Sequence, residues 1–433
     1  MQNNTNEITF KEVEISDSFG FIQQYLEYAV EDNLISETER FSFTNDLTNS
    51  VINRKTVLWK FKYQSNAISE ADKRNYGCLS FNRFPGKYLN SVHIFGLDTE
   101  GWSPIDLDIP KYLHEGFFKE TGKLDHIFFV TGNLNQKKYY DDWVAKNNFK
   151  HKINIVEICN WDTYRSLEAS SQIEESEFTD ETIPDYRTFF YSRKDKLSKT
   201  YKKEKYFIYL NRRTRPHRTY LTTKIYHDEL RRNTILSHDK ISNEDEFYII
   251  DTHKNLLTEE KLELFSEKLK TMRTPLIADI DNFEKNYANE ISEGIHSNAL
   301  ISVVGETMQD DRDNTSMFFS EKTFRPILLG QPFLIWGQYE CHNWLFNKLG
   351  YKPYNKLFNY EFDSIKDIPS RADALFEELK RVANILRDKS KVEQIEWVNQ
   401  DYDALKYNLM RMRYNEFSMR NFLRFKDDVK KLF

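Results

Sequence analysis

Cysteine is scarce in this chain: Cys78, Cys159 and Cys341 are scattered through 433 residues. They are too few and too dispersed for a disulfide framework or a thiolate metal site, and they fit a reducing cytosol. Long apolar runs are missing too, and none approaches the roughly 20 residues of a membrane span, so no membrane insertion is expected. The N-terminal stretch MQNNTNEITF is polar and lacks a signal-peptide core, which makes the expected location cytoplasmic. There is no G-x-G-x-x-G, P-loop, H-E-x-x-H, G-x-S-x-G or CxxC pair. Internal repeats and low-complexity segments are likewise missing. A net charge of −6 argues against a protein that coats nucleic acid, but it leaves room for a local basic groove.

What the chain does have is enough apolar material for two cores: 39% hydrophobic against 30% charged. Aromatics reach 15%, with 33 Phe and 25 Tyr; thick cores account for most, and some can line a sugar or base site. The pattern alternates strands and helices. Phe21, Ile22, Tyr25 and Leu26 form one helical stripe. Val57 to Tyr63 and Ser91 to Leu97 read as strands. Asp108 as N-cap, Pro110 and Gly122 punctuate a helix. Asp125 to Thr131 reads as a buried strand that runs into Gly132 and Asn133. A helix over 135–147 and a strand over Ile153 to Cys159 follow. Such alternation predicts a parallel, Rossmann-like sheet.

From 162 to 190 the periodicity fades, and SRKDKLSKTYKKEK then turns strongly basic. The expected domains are therefore 1–195 and 196–400, with a helical tail over 401–433 packing back on the first. The second domain opens with a strand from Tyr206 to Leu210, and Pro216 marks the start of its first helix. Phe247 to Ile250 reads as another short strand. Thr258 caps a helix whose first turn carries Glu259 and Glu260. Leu300 to Val304 and Phe333 to Trp336 are strands around SEKTFRPILLG, with Pro326 opposing a regular helix that starts at Glu321. Ala372, Leu375, Phe376, Leu379, Val382 and Leu386 make a further helical stripe.

Two patches carry candidate chemistry. Asn211 to Arg218 is the turn from a strand into a helix, crowded with Arg212, Arg213, Arg215, His217 and Arg218. Free N–H groups at a helix start suit an anion, and guanidinium forks favour phosphate. The plainer alternative is a solvated basic turn. Ser320-Glu321-Lys322-Thr323 is the second patch. A carboxylate at the ligand edge of a parallel sheet can accept two ribose hydroxyls, and the lysine beside it can neutralise phosphate. The alternative is that Ser320 caps and Glu321 only complements the helix dipole. Glu306 at a strand end faces the site or is a loop acid. Asp98 is a candidate general base toward an acceptor hydroxyl, with Glu100 and His93 as weaker rivals, or it is simply a turn residue. Gly132 and Asn133 are candidates on the acceptor side. Asp106 with Asp108, and Asp279 with Asp281, have the form of acid pairs, but no metal is assigned to them. Cys341-His342 reads as core packing.

The run LNRRTRPHR, followed by a strand, an acid, SEKTFRPILLGQPFLIWG and LGYKPY, resembles a glycosyltransferase family common in bacteriophages, other large viruses and some bacteria. The Ser-Glu-Lys segment also looks like the donor motif of fucosyltransferase-like and exostosin-like enzymes. The resemblance covers about 205–360, and the first half matches only in architecture and in FVTGN. It implies the GT-B fold, two Rossmann-like α/β domains facing across a cleft, with the second holding a nucleotide sugar. It further implies that Arg212, Arg213, Arg215 and Arg218 hold the donor diphosphate, Glu321 the ribose and Lys322 a phosphate, with no cofactor and no essential metal. The aromatic and acidic patch that such enzymes carry after LGYK is looser here, NYEFDSIKDIPSR, and no residue is carried over from it. The acceptor is either a hydroxymethylated pyrimidine in viral DNA, which would place the protein in a host cytoplasm, or a glycan, lipid or protein. The reading from a different class is a nucleotide- or polyanion-binding module without catalysis.

Overall fold

Parallel strands covered on both faces are buried along their length, and Ile127–Thr131, Ala299–Gly305 and Phe333–Trp336 are buried at every position. A computed structural model of the protein describes residues 9–12, 20–62, 90–97, 109–159, 204–211, 214–278, 293–296, 298–307, 317–413 and 416–433. The chain divides into two compact units: Met1–Asn160, Arg312–Phe318 and Asn415–Phe433 in the first, Trp161–Asp311 and Phe319–Tyr414 in the second.

The first unit contains β1 (Thr9–Glu12), α1 (Gly20–Glu31), α2 (Glu37–Ile52), β2 (Thr56–Lys62) and β3 (Val92–Leu97). Next come α3 (Ile109–Tyr112), a π-helical turn (Leu113–Phe117) and α4 (Phe118–Thr121). Then follow β4 (Ile127–Thr131), α5 (Gln136–Lys146) and β5 (Asn154–Glu157). The sheet order is β1-β2-β3-β4-β5, with β1 antiparallel to β2 and the remaining pairs parallel. One face carries a ladder of stacked rings, Trp59 to Phe95 and Phe95 to Phe129, each with centroids 6.0 Å apart. Leu113, Tyr140 and Val144 close this core from the helical side. The last helix of the chain, Glu416–Lys430, belongs to this unit. Its Phe422 stacks on Tyr25 at 5.1 Å, its Ser418 hydroxyl accepts the Cys159 N–H at 2.9 Å, and its buried Lys426 ammonium pairs with Glu39. The tail expected from 401 thus divides: Tyr402–Arg413 lies in the second unit, and only the final helix lies in the first.

The second unit contains β6 (Lys205–Leu210), α6 (Pro216–Tyr226), β7 (Thr234–Ser237), α7 (Asn243–Lys254), α8 (Glu259–Thr271) and α9 (Glu293–His296). It continues with β8 (Ala299–Gly305), α10 (Glu321–Leu328), β9 (Phe333–Trp336), α11 (Cys341–Asn347) and α12 (Ile368–Arg387). α13 (Lys391–Val398) and α14 (Tyr402–Arg413) complete it, and the final helix is α15. All pairings in the order β7-β6-β8-β9 are parallel. Every residue of β8 and β9 is buried.

Two expectations need correction. Phe247 to Ile250 is not a strand; it lies inside α7. Ser242 and Asp245 form a reciprocal capping box there, and Ile249 and His253, one turn apart, point inward while Phe247 is 67% exposed. Helical spacing outweighed the short apolar run. Pro326 does not prevent a helix from starting at Glu321: α10 runs through it to Leu328. Proline removes one internal N–H, and in a helix of eight residues few such bonds exist to lose. The far end is secured instead. Gly330, at φ +59°, donates to the Ile327 carbonyl at 3.0 Å, and Gln331 donates to the Pro326 carbonyl at 2.9 Å. That is the left-handed glycine cap a side chain would disfavour. β7 and α2 had no counterpart in the sequence reading.

Candidate functional site

In the order β7-β6-β8-β9 the chain leaves β6 toward one side and leaves β8 toward the other. Right-handed crossovers then put α6 and α10 on opposite faces, so a crevice opens at the carboxyl ends of β6 and β8. Both sequence patches sit at that edge. Asn211 follows β6, and α6 begins at Pro216 with Arg215 as an extended N-cap whose side chain makes no capping bond. Glu306 follows β8, and α10 begins after Ser320.

Glu306 is only 1% exposed, which excludes a solvated loop acid. Its Oε1 accepts the Ser320 N–H at 3.1 Å and the Thr323 hydroxyl at 2.6 Å. Its Oε2 accepts the Ser320 hydroxyl at 2.7 Å and the Thr307 N–H at 2.9 Å. This carboxylate therefore ties the end of β8 to the first turn of α10. Ser320 and Thr323 serve the same tie, and Ser320 also caps the helix by accepting the Lys322 N–H at 3.4 Å. The Glu306 carbonyl is engaged from the other side, accepting Arg218 Nε–H at 3.0 Å and His217 Nε2–H at 2.9 Å. Burial, reinforced by the Arg218 charge, holds His217 well below its ordinary pKa, so the ring is neutral and donates through Nε2. Its own carbonyl accepts the Trp336 indole N–H at 2.8 Å. His217 is thus a strut between strand ends.

The two patches meet at a residue the sequence reading did not single out, Thr307. Arg218 Nη2 reaches its hydroxyl at 3.4 Å and Lys322 Nζ reaches the same oxygen at 3.3 Å. Lys322 also pairs with Glu321 at 2.5 Å. Burial alone would raise Glu321, but the Lys322 ammonium outweighs it and keeps the carboxyl below its usual range. Lys322 is nonetheless pushed down, by burial and by Arg218, more than Glu321 lifts it. Burial likewise lowers Arg218, and Arg215 adds to the effect. Arg325 and Lys322 also line a small cavity of about 40 Å³ with Ser302, Gly305 and Pro326.

Gly305 is required by close approach. A Cβ there would fall 2.5 Å from Asn211 Oδ1, 3.1 Å from the Tyr209 ring and 3.3 Å from Arg218 Cγ. Asn211 is 1% exposed, and neither polar atom of its side chain makes a hydrogen bond of good geometry, although the Tyr209 hydroxyl is near enough to feel its amide. The only sequence signal for Thr307 was its place just after the strand-end acid.

The remaining expected site residues lie elsewhere or outside the described residues. Asp98, Glu100, Arg212, Arg213 and both acid pairs (Asp106 with Asp108, Asp279 with Asp281) belong to the latter. In the first unit Gly132 and Asn133 are buried after β4, and Asn133 Oδ1 accepts the Met317 N–H at 3.0 Å, so the amide holds a neighbouring segment. His93 lies within β3, where Nδ1 accepts the Trp59 indole N–H at 3.0 Å. Cys341, His342 and Asp363 are buried together in the second unit. Ile335 N–H donates to His342 Nε2 at 2.9 Å, which leaves Nδ1–H to donate to Asp363 at 3.0 Å. The same carboxylate accepts the His342 and Asn343 N–H groups and so caps α11. A cation on Nδ1 would need the proton moved to Nε2, against a backbone donor, so these residues do not suit a metal.

Among the described residues no helix is long and apolar enough to cross a membrane. No family model, no characterised protein and no solved structure matches this chain.

Proposed function

We propose that the protein is a glycosyltransferase that moves a sugar from a nucleoside-diphosphate donor to an acceptor hydroxyl. One observation carries the reading: Arg218 and Lys322, from separate crossovers, converge on the Thr307 hydroxyl at the switch point of a parallel sheet. Among the described residues there, Arg215, Arg218 and Lys322 face Glu306 and Glu321, and the Glu306 carboxylate is committed to hydrogen bonds. A diphosphate suits these cations, and its charge grows as the glycosidic bond breaks, where fixed cations act best. Two units, one with a mainly parallel and one with a parallel sheet, and a last helix belonging to the first are features this reading shares with the GT-B architecture. In that reading Arg212 and Arg213 complete the phosphate site, Asp98 is the general base, and the donor is the only small molecule required.

The test is a thermal-shift screen of the purified chain against nucleoside diphosphates and their sugar esters, followed by hydrolysis of whichever sugar ester binds. A cognate donor stabilises by about 2.7 kcal/mol at a hundredfold excess over Kd. Binding with no turnover, in wild type and Asp98→Asn alike, would support the non-catalytic module instead. No shift with any nucleotide would end both readings. Salt dependence of duplex binding separates the acceptors: a steep loss of affinity with salt marks DNA, and a flat response marks a glycan, lipid or protein.

A further inference from the structure

On its way from β8 to α10 the chain changes unit twice. It belongs to the first unit over Arg312–Phe318 and returns to the second at Phe319. Within the first unit Met317 is gripped at both of its backbone groups. Its N–H donates to Asn133 Oδ1 at 3.0 Å, and its carbonyl accepts the Leu134 N–H at 2.8 Å. The turn after β4 shapes this grip: the Asn133 N–H donates to the Thr131 hydroxyl at 3.1 Å, and Asn133 is fully buried. Within the second unit Ser320 donates its N–H and its hydroxyl to the Glu306 carboxylate, and the Phe319 ring meets Phe324 of α10 edge-on at 6.4 Å. Met317, Phe318, Phe319 and Ser320 are all buried. Three residues of chain reach about 11 Å at most, so the piece between the two holds can absorb only a small shift of either.

We propose that Asn133 is a positioning residue: by holding Met317 in the first unit it fixes the first turn of α10 in the second. Ser320 opens that turn three positions after the gripped residue, and Lys322 follows within it. A side chain that touches no ligand thus sets where the residues at the end of β8 stand. The coupling is reciprocal, because two holds on one short piece of chain share one free energy, and what loosens either end loosens the other. The clamp does not depend on what the site binds; its effect on nucleotide affinity rests on the donor reading above.

Hydrogen–deuterium exchange of the ligand-free full chain, read at single amides, tests the clamp. Asn133→Leu keeps the shape of the side chain and deletes its acceptor. It should speed exchange of the hydrogen-bonded Ser320, Lys322 and Thr323 amides at least about fivefold and leave Ile249 in α7 unchanged. Asn133→Asp keeps an acceptor and should return these amides to within about twofold of wild type. A role confined to the first unit would speed only Met317 and Leu134, and that pattern would overturn the proposal. Ser320→Ala carries the test in the opposite direction if Asn133→Leu does not fold. It should speed exchange of the Leu134 amide at least about threefold, and an unchanged Leu134 beside a loosened α10 would overturn the proposal equally. In calorimetry with ADP, GDP, CDP and UDP, whichever binds wild type should bind Asn133→Leu at least about fivefold more weakly and Asn133→Asp nearly as well as wild type. Equal affinity in Asn133→Leu would show that the turn does not need the clamp. If wild type binds none of the four, the donor reading fails, and the exchange rates still decide the clamp.

Discussion

Replacing Glu306 by glutamine changes one atom and should cost a large part of the second unit's stability. Each carboxylate oxygen accepts from one backbone N–H, Ser320 on Oε1 and Thr307 on Oε2, and from one hydroxyl, Thr323 and Ser320 respectively. A hydroxyl can turn round to meet an amide NH₂, but a backbone N–H cannot. Whichever way the glutamine amide is placed, one N–H must face another. The loss is one charge-assisted bond, about 1.5–3 kcal/mol, plus a buried unsatisfied donor of about 1–3, offset in part by the easier burial of an amide. A net 2–4 kcal/mol is expected, which lowers Tm by roughly 5–12 °C in a unit of this size. Differential scanning calorimetry and urea unfolding followed by near-ultraviolet circular dichroism should agree on that loss. Thr323→Val, which deletes one hydroxyl, should cost only about 1 kcal/mol. A change below about 0.5 kcal/mol for Glu306→Gln would show that this carboxylate does not join β8 to α10.

Three other outcomes follow from the same geometry. Gly305→Ala puts a methyl 2.5 Å from Asn211 Oδ1 and should destabilise by about 1–3 kcal/mol in the same unfolding assay, while weakening nucleotide binding because the Arg218 stem is among the crowded neighbours. Ile249→Ala should cost about 2–4 kcal/mol and Phe247→Ser under about 0.5, a contrast that only the inward and outward faces of α7 produce. Stability should fall with acid between pH 6.5 and about 4, because burial depresses His114 from 6.5 to about 4, so the unfolded chain binds its proton first. The ceiling is about 3 kcal/mol at 1.36 per pH unit, reduced to roughly 1–2 by solvent screening. His126, His217, His238 and His253 are depressed by burial in the same direction, so His114→Phe should lower that slope by its own share in urea titrations at several pH values, and an unchanged slope would rule the assignment out.

Several features of this chain are local, and the sequence by itself determined them. Pro216 at a helix start, the Thr258 cap, the stripe from Ala372 to Leu386 and the apolar runs of β4, β6, β8 and β9 follow from nearest-neighbour sterics and from periods of 2 and 3.6. Short segments escaped because four residues carry no readable period: Thr234–Ser237 is a strand, while Phe247 to Ile250 joins a helix whose caps lie outside the run. The order β7-β6-β8-β9 is not written in any stretch of chain, yet it alone makes one edge of the sheet a crevice. The meeting of Arg218 and Lys322 on Thr307 joins residues 89 and 15 positions apart in sequence. The turning of the Glu306 carboxylate inward, the use of His217 and Asn133 as struts, and the sharing of residues after Asn415 with the first unit are likewise tertiary. Residue types set what each side chain can donate or accept. Only long-range packing, which spends those groups one against another, decides which remain to meet a ligand.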